Sequence, residues 1–396
     1  MKYCVLIIDG AAGLPLPERG GKTCLELART HNLGAMAAQG TSGLVRTVPP
    51  GMEPSSACAC MSVLGYDPKV YYKGRAGIEA RSMGVPVGDG EVVFRCNLVT
   101  VRDGKMWDHS AGHISNEEAE PIIAALNERL GNKDIHFHPG VSYRHLCKFT
   151  GHEDTLRAVC TPPHDIPGKP VADFLPRGKG SDFLRDLMAR SEAVLADHPV
   201  NGARRARGEA PATTIWLFWG TGRVPDMPPF RDVYGLTAAV TSGVDLLRGL
   251  ARMMDMEVLD IAGVTDGPDN DYRAQAEGAL AALRRNDLVA VHIEAPDEAA
   301  HAGSIDEKVA TIERIDEEVV SRLRSWNEGT LRVLVLPDHP TPIATRTHSG
   351  EPVPFLLWGP GFEANGARRF TEAEAAGTGV FIDEGYTIME RLITVS

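Results

Sequence analysis

The chain has 396 residues, 43% hydrophobic and 24% charged, with a formal charge of −12 from 41 basic and 53 acidic side chains. That balance describes an ordinary globular chain with room for two structural units. The acidic excess argues against nucleic-acid binding, which depends on a basic surface, and without a run of eighteen apolar residues no membrane span is expected.

The chain opens with MKYCVLIIDG, which reads as a buried strand over Tyr3–Ile8 and not as a signal peptide, because its apolar run meets Asp9 at once. A carboxylate just past the carboxyl end of such a strand sits where α/β sheets place ligands, although a turn former before Gly10 accounts for Asp9 equally well. The seven cysteines (4, 24, 58, 60, 96, 147 and 160) are odd in number and lack a disulfide spacing. A reducing, cytoplasmic compartment fits them. Cys58 and Cys60 have no second pair for a zinc site and read as buried thiols. The spacing predicts a helix over Leu25–Ala38. Two nucleotide motifs fail: GGKT at 20–23 has Leu16 where a phosphate loop needs glycine, and GTGRVP ends on Pro225.

In PSSACAC, Pro54-Ser55-Ser56 opens a run of small residues, which places a serine at a helix start. Amides there favour nearby negative charge, as a nucleophile requires, but an ordinary N-cap has the same pattern. There is no G-x-S-x-G elbow and no adjacent base, so the hydroxyl needs another activator, and a metal ion can lower its pKa.

PSSACACMSVLGYDPKVYYKGRAGIEA (54–80) resembles the serine-nucleophile segment of the archaeal-type, cofactor-independent phosphoglycerate mutases, members of the alkaline phosphatase superfamily. FRCNLVTV (94–101), SAGHIS (110–115), PGVSYRHL (139–146), TPPHDI (161–166), APDEAAH (295–301) and LPDHPTP (336–342) continue the likeness across nearly the whole chain. The resemblance implies an alkaline-phosphatase-like parallel-sheet core covered by helices on both faces, with an inserted α+β cap domain closing over the site. We place the core at 1–88 and 173–396 and the cap at 89–172.

Within the cap, Glu91–Val101 and His136–Lys148 read as strands and Asn116–Leu130 as a helix. Arg95, Arg102, Arg144, His145 and His164 are its candidate substrate groups, since a phosphorylated acid calls for planar, multidentate donors. Pro162–Gly180 reads as a connection back to the core, followed by a helix over Asp182–Leu195. The basic run Asn201–Arg207 reads as a solvated turn, or as a cleft edge carrying Arg204 and Arg205. Three positions depart from the family pattern: His113 replaces an arginine, Ala57 an aspartate, and a lysine is missing near Gln275.

Beyond Thr214–Trp219, strand and helix patterns alternate, which argues for a parallel sheet. Ile305–Arg324 reads as an amphipathic packing helix. Past the strand Leu288–Ile293, Asp297 and His301 are four residues apart, so one helical turn brings them to one face. Asp338-His339 follows the strand Leu331–Leu336, and His348 lies in the next loop. The resemblance implies one ion on Asp297, His301 and His348 and another on Asp9, Ser56, Asp338 and His339. Mixed carboxylate and imidazole donors suit Mn2+ first, with Co2+, Zn2+ or Mg2+ as alternatives.

The expected activity is interconversion of 3-phosphoglycerate and 2-phosphoglycerate through a phosphoserine on Ser56, without 2,3-bisphosphoglycerate. Substrate contacts are expected from Arg95, His113, Arg144, His145, His164, Arg204 and Arg205. The departures keep an alternative open: a two-metal phosphatase, phosphonate hydrolase or phosphotransferase for another small phosphorylated metabolite. The expected partner is a small phosphorylated acid, with no nucleic acid or membrane; self-association is compatible with this reading.

Overall fold

A computed structural model describes residues 1–223 and 225–394. In chain order its strands are β1 (Lys2–Ile8), β2 (Thr41–Val45), β3 (Glu91–Arg102), β4 (Lys105–Asp108), β5 (Ile135–His138), β6 (Arg144–Thr150) and β7 (Thr214–Thr221). They continue as β8 (Ala238–Thr241), β9 (Glu257–Val258), β10 (Leu288–Ile293), β11 (Leu331–Leu336), β12 (Val353–Trp358) and β13 (Phe381–Ile382). The chain divides into two compact units, Met1–Tyr72 with Asp226–Ser396, and Lys73–Pro225.

The first unit holds an eight-stranded sheet in the order β13-β2-β12-β11-β1-β10-β8-β9. Strands β11, β1, β10, β8 and β9 run parallel, and β12 is antiparallel to both its neighbours. Strand β10, LVAVHI, is buried along its whole length, and β1 is buried from Tyr3 on. Both read as continuous apolar runs because helices cover a parallel sheet on both faces. The helix Ile305–Ile315 continues through a π-turn, Asp316–Val320, into Ser321–Arg324. Asp316 turns back to accept the amides of Asn32 and Leu33 at 2.9 and 2.7 Å, which satisfies the start of a distant helix.

That helix is part of a correction. The expected single helix over Leu25–Ala38 is two, Cys24–Leu27 and His31–Ala37. Ala28 is extended, and the Arg29 amide donates to Glu313 Oε1 at 2.9 Å instead of continuing a helical ladder.

The second unit is built on an antiparallel sheet, β4-β3-β6-β5, with β7 also on β3. It runs over Lys73–Pro225, wider than the expected 89–172. Strand β7, read from sequence as part of the main sheet, pairs with β3 because its buried TIWLF run completes this second core. The expected strand His136–Lys148 is two, β5 and β6, reversed at Pro139–Tyr143. Asn201–Arg207, read as a turn, lies mostly in the helix Pro199–Ala206. No helix among the described residues is long and apolar enough to cross a membrane.

Candidate functional site

Register in the first sheet assembles the site. Ile7 of β1 lies beside His292 of β10 and Leu336 of β11, so the three strands end level. Their following turns bring Asp9, Asp297, Asp338 and His339 to one edge, all at 2% exposure or less. Gly10 is required between them: its φ is +60°, and an added Cβ would lie 2.3 Å from Asp297 Oδ1.

Two donor groups result. The helix Ala295–Ala302 sets His301 Nε2 3.1 Å from Asp297 Oδ2, while His348 Nε2 lies 3.5 Å from that oxygen and 2.9 Å from His301 Nε2. In the second group His339 Nε2 is 3.6 Å from Asp9 Oδ1 and 3.3 Å from Asp338 Oδ2. Ser56 Oγ stands 3.2 Å from the same nitrogen.

The adjacent serines divide two roles. Ser55 is the N-cap of the helix Ser56–Val63, its side chain accepting the Cys58 amide at 3.3 Å. Ser56 is the first helical residue, and its hydroxyl is left for the cluster.

Each carboxylate has one oxygen pinned by a protein donor. Asp338 Oδ1 accepts from the Gly10 and His339 amides at 3.2 and 2.8 Å, and Asp297 Oδ1 accepts the Thr341 hydroxyl at 2.5 Å. His292 Nε2 is 2.7 Å from Asp9 Oδ2, and Asp9 Oδ1 has no hydrogen-bond partner although fully buried. The imidazoles are oriented likewise: His301 Nδ1 faces Arg346 O at 2.9 Å, His348 Nδ1 faces Pro54 O at 3.4 Å, and His339 Nδ1 faces Thr341 Oγ1 at 3.3 Å. All three rings therefore offer Nε2.

The electrostatics call for added positive charge. Burial, then the charges of Asp338 and Asp297, push Asp9 well above the usual carboxylate range. Burial, then Asp9, pushes Glu294 up as well. Asp297 is lowered: burial raises it, and hydrogen bonds from His301 and His348 outweigh that. Hydrogen bonding to Asp297 lifts His301 to about 9. Four buried acids at one edge cannot all ionise without a counter-charge. The spacings of 2.9–3.6 Å suit atoms sharing one cation at bonds of about 2.0–2.2 Å. Asp297, His301 and His348, and Asp9, Asp338 and His339, are each grouped closely enough to hold one. The residues present fit two divalent metal ions.

In the second unit, part of the expected substrate set comes together. His113 lies 6.2 Å from the Tyr143 ring, the Arg144 guanidinium 5.4 Å from it, and His109 5.9 Å. His164 is 5.6 Å from Trp219, which Arg75 and Arg95 also approach at 4.7 and 5.8 Å. Ala111, His113, Ser142 and Trp219 all have φ near +50°, a conformation that costs energy for non-glycine residues. The other three members of the set are held by backbone and side-chain partners. Arg204 is buried, bonded to Glu118 and to the carbonyls of Ala210, Ala111 and Gly112. Arg205 donates to Ala196 O. His145 is buried, with Nδ1 accepting the Gly140 amide at 3.0 Å. Of the departures, Gln275 is buried and donates to His292 O at 2.9 Å, and Ala57 is buried in its helix. Arg102 stacks on Trp107 at 5.1 Å.

Sequence reasoning missed Thr341, Ser242, His292, Glu294 and Lys308. Thr341 follows Asp338-His339 and Glu294 precedes Asp297 closely enough for their motifs to have pointed to them. Ser242 and Lys308 carry no local signal.

A serine at a helix start beside two carboxylate–imidazole groups, on the carboxyl edge of a largely parallel sheet, is the arrangement of an α/β enzyme suited to phosphoryl transfer. A family model described as 2,3-bisphosphoglycerate-independent phosphoglycerate mutase matches residues 37–201. Proteins of that name from Methanosarcina barkeri and Methanothrix thermoacetophila are 48% and 47% identical; the alignments cover 90% of both chains in the first case, and 99% of this chain and 100% of the relative in the second. Among solved structures, a Pyrococcus horikoshii protein aligns with a TM-score of 0.81 at 26% identity, covering 99% of this chain and 96% of that one. A cofactor-independent phosphoglycerate mutase from Thermoplasma acidophilum gives 0.65 at 27% identity and 99% coverage of both. The chain belongs to the 2,3-bisphosphoglycerate-independent phosphoglycerate mutases, and so to the isomerases that act as intramolecular phosphotransferases. These relatives favour the mutase reading over the phosphatase, phosphonate hydrolase and phosphotransferase alternatives.

Proposed function

We propose that this protein interconverts 3-phosphoglycerate and 2-phosphoglycerate through a phosphoserine on Ser56, with no requirement for 2,3-bisphosphoglycerate. The observation that carries this reading is Ser56 Oγ at a helix start, 3.2 Å from His339 Nε2 within the buried acidic cluster. One cation would be held by Asp297, His301 and His348, the other by Asp9, Ser56, Asp338 and His339. When bound, the cations supply the charge that lowers the serine pKa and offsets charge on the transferring phosphoryl group. Manganese suits this oxygen and nitrogen set, with cobalt, zinc or magnesium as substitutes.

His339, with Nδ1 turned to Thr341, leaves its Nε2 lone pair for the cation that Ser56 Oγ, 3.2 Å away, would share. Ser56 Oγ, its proton released to solvent, attacks phosphorus in line. The new Oγ–P bond forms as the bond to the 3-oxygen of glycerate breaks, and that oxygen takes up a proton, which the 2-hydroxyl releases in exchange in the next step. The retained glycerate then takes the phosphoryl group back on its 2-hydroxyl, and the reverse reaction exchanges the two oxygens. The first amides of the helix Ser56–Val63 favour the negative charge that develops beside them. Arg95, His113, Arg144 and His164 are our candidates for the substrate carboxylate and hydroxyl; Arg95 is itself buried and paired with Glu79 at 2.5 Å, as Arg204, Arg205 and His145 are held by partners in their unit. We place the enzyme in the cytoplasm.

The test is incubation with 3-phosphoglycerate and Mn2+ without 2,3-bisphosphoglycerate, following 2-phosphoglycerate and free phosphate together. The expected result is 2-phosphoglycerate with little phosphate. Ample phosphate without 2-phosphoglycerate would replace the mutase by a phosphatase on the same site.

A further inference from the structure

We infer that His292, aimed by Ser242, is a positioning residue that decides which oxygen of Asp9 is presented to the cation. This rests on the two-cation reading above. Neither residue belongs to the proposed ligand sets, yet both are buried, at 1% exposure each. They form a directed chain. The Val244 amide donates to Ser242 Oγ at 3.0 Å, so that oxygen already serves as an acceptor. Among the described residues, the one acceptor within reach of the Ser242 hydroxyl proton is His292 Nδ1, at 3.0 Å. A ring that accepts at Nδ1 carries its proton on Nε2 when neutral. Nε2 points at Asp9 Oδ2, 2.7 Å away. The polarity therefore runs from the Val244 amide through Ser242 and His292 to one oxygen of Asp9.

The consequence falls on the other oxygen. Asp9 Oδ1 is fully buried without a hydrogen-bond partner and lies 3.6 Å from His339 Nε2, in the group that would hold the second cation. With Oδ2 occupied by His292, Asp9 offers a single oxygen in a fixed direction. The strand end is itself anchored, since Gln275 holds the His292 carbonyl. Such hydrogen-bonded partners orient metal-binding carboxylates, and their removal typically costs 10- to 100-fold in affinity.

A rival role is written in the same residues. Asp9, His292 and Glu294 lie close enough together to hold an ion of their own, and Glu294 Oε2 is buried without a partner. Positioning is favoured because Nε2, the nitrogen facing Asp9, is the one Ser242 leaves protonated. A protonated nitrogen has no lone pair to give a metal.

The two roles differ in stoichiometry. Mn2+ would be titrated calorimetrically into chelator-stripped wild type, His292→Leu, His292→Gln and Ser242→Ala, each checked for folding by circular dichroism. We expect two Mn2+ per chain in all four. One site should weaken about 10- to 100-fold in His292→Leu. Most of that loss should be recovered in His292→Gln, whose amide can still donate to Asp9, and Ser242→Ala should show a smaller loss. Unchanged affinity in His292→Leu would overturn the inference. So would three ions in wild type falling to two, which would make His292 a ligand. If His292→Leu does not fold, Ser242→Ala decides, and its unchanged affinity is then the overturning result. A wild type that binds no Mn2+ defeats the two-cation reading instead, a distinct outcome.

Discussion

His301 Nε2 stands 2.9 Å from His348 Nε2, a separation that a shared proton accounts for and that a cation taking the proton's place would also suit. Both rings face backbone carbonyls through Nδ1, which turns their remaining nitrogens on each other and on Asp297. In the second group the corresponding relationship is Ser56 with His339.

Divalent metal should therefore stabilise the fold as well as drive turnover. Each site filled to a hundred times its dissociation constant adds about 2.7 kcal/mol to unfolding. Scanning calorimetry with Mn2+ and with chelator should show a rise in melting temperature, and His348→Ala should lose part of it. An undiminished rise in that variant would remove His348 from the ligands.

The adjacent serines make opposite predictions. Ser55→Ala removes an N-cap and should cost about 0.5–2 kcal/mol in a denaturant melt, with turnover reduced only modestly. Ser56→Ala should leave the melt nearly unchanged and lower turnover by at least about a thousandfold. Full turnover in Ser56→Ala would end the phosphoserine mechanism.

Lys308 is fully buried and donates to Ala12 O at 3.1 Å and Thr341 O at 2.9 Å, tying the turn after β1 to the loop after β11. Lys308→Met should strand the Thr341 carbonyl, since Ala12 O keeps the Thr341 amide at 3.1 Å, and destabilise by about 1–3 kcal/mol. The turns it joins carry Asp9 and His339, so weaker Mn2+ binding should accompany the lower denaturation midpoint. A midpoint equal to wild type would show that the Thr341 carbonyl finds another donor.

His145, in the second unit, gives a pH dependence of stability. Burial, then the nearby Arg95 charge, lowers its pKa to about 3 from an ordinary 6.5. Below pH 6.5 the unfolded chain takes up a proton that the folded protein refuses, so stability falls with pH from 6.5 towards 3. The limiting slope for this group is about 1.4 kcal/mol per pH unit. His145→Asn keeps an acceptor for the Gly140 amide and does not titrate, so its urea-melt stability should fall less steeply over that window. Parallel profiles would show that His145 is not buried neutral.

Much of the site is legible along the chain because its residues follow strand ends. Asp9 ends VLII, Asp338-His339 follows LVL, and Asp297 and His301 share a helix turn, all patterns of local spacing. Ser56 is legible only as one of two serines; which of them caps depends on where the first helical hydrogen bond forms. Ser242, His292 and Lys308 have no local signature as partners, since each acts on residues tens to hundreds of positions away. The second unit was the least legible part. A buried apolar run such as TIWLF fits either sheet, and only its pairing with β3 assigns it.

The sequence by itself determined the types of donor, their order and the strand ends that carry them, because apolar periodicity and short motifs are local properties. Tertiary structure decided how those donors point. Register levels Asp9 with His292 and Leu336, Gly10 admits Asp297 beside the first strand, and Thr341 and His292 each take one carboxylate oxygen. A hydrogen bond's direction depends on which distant atoms meet in the packed core, and no local spacing encodes that.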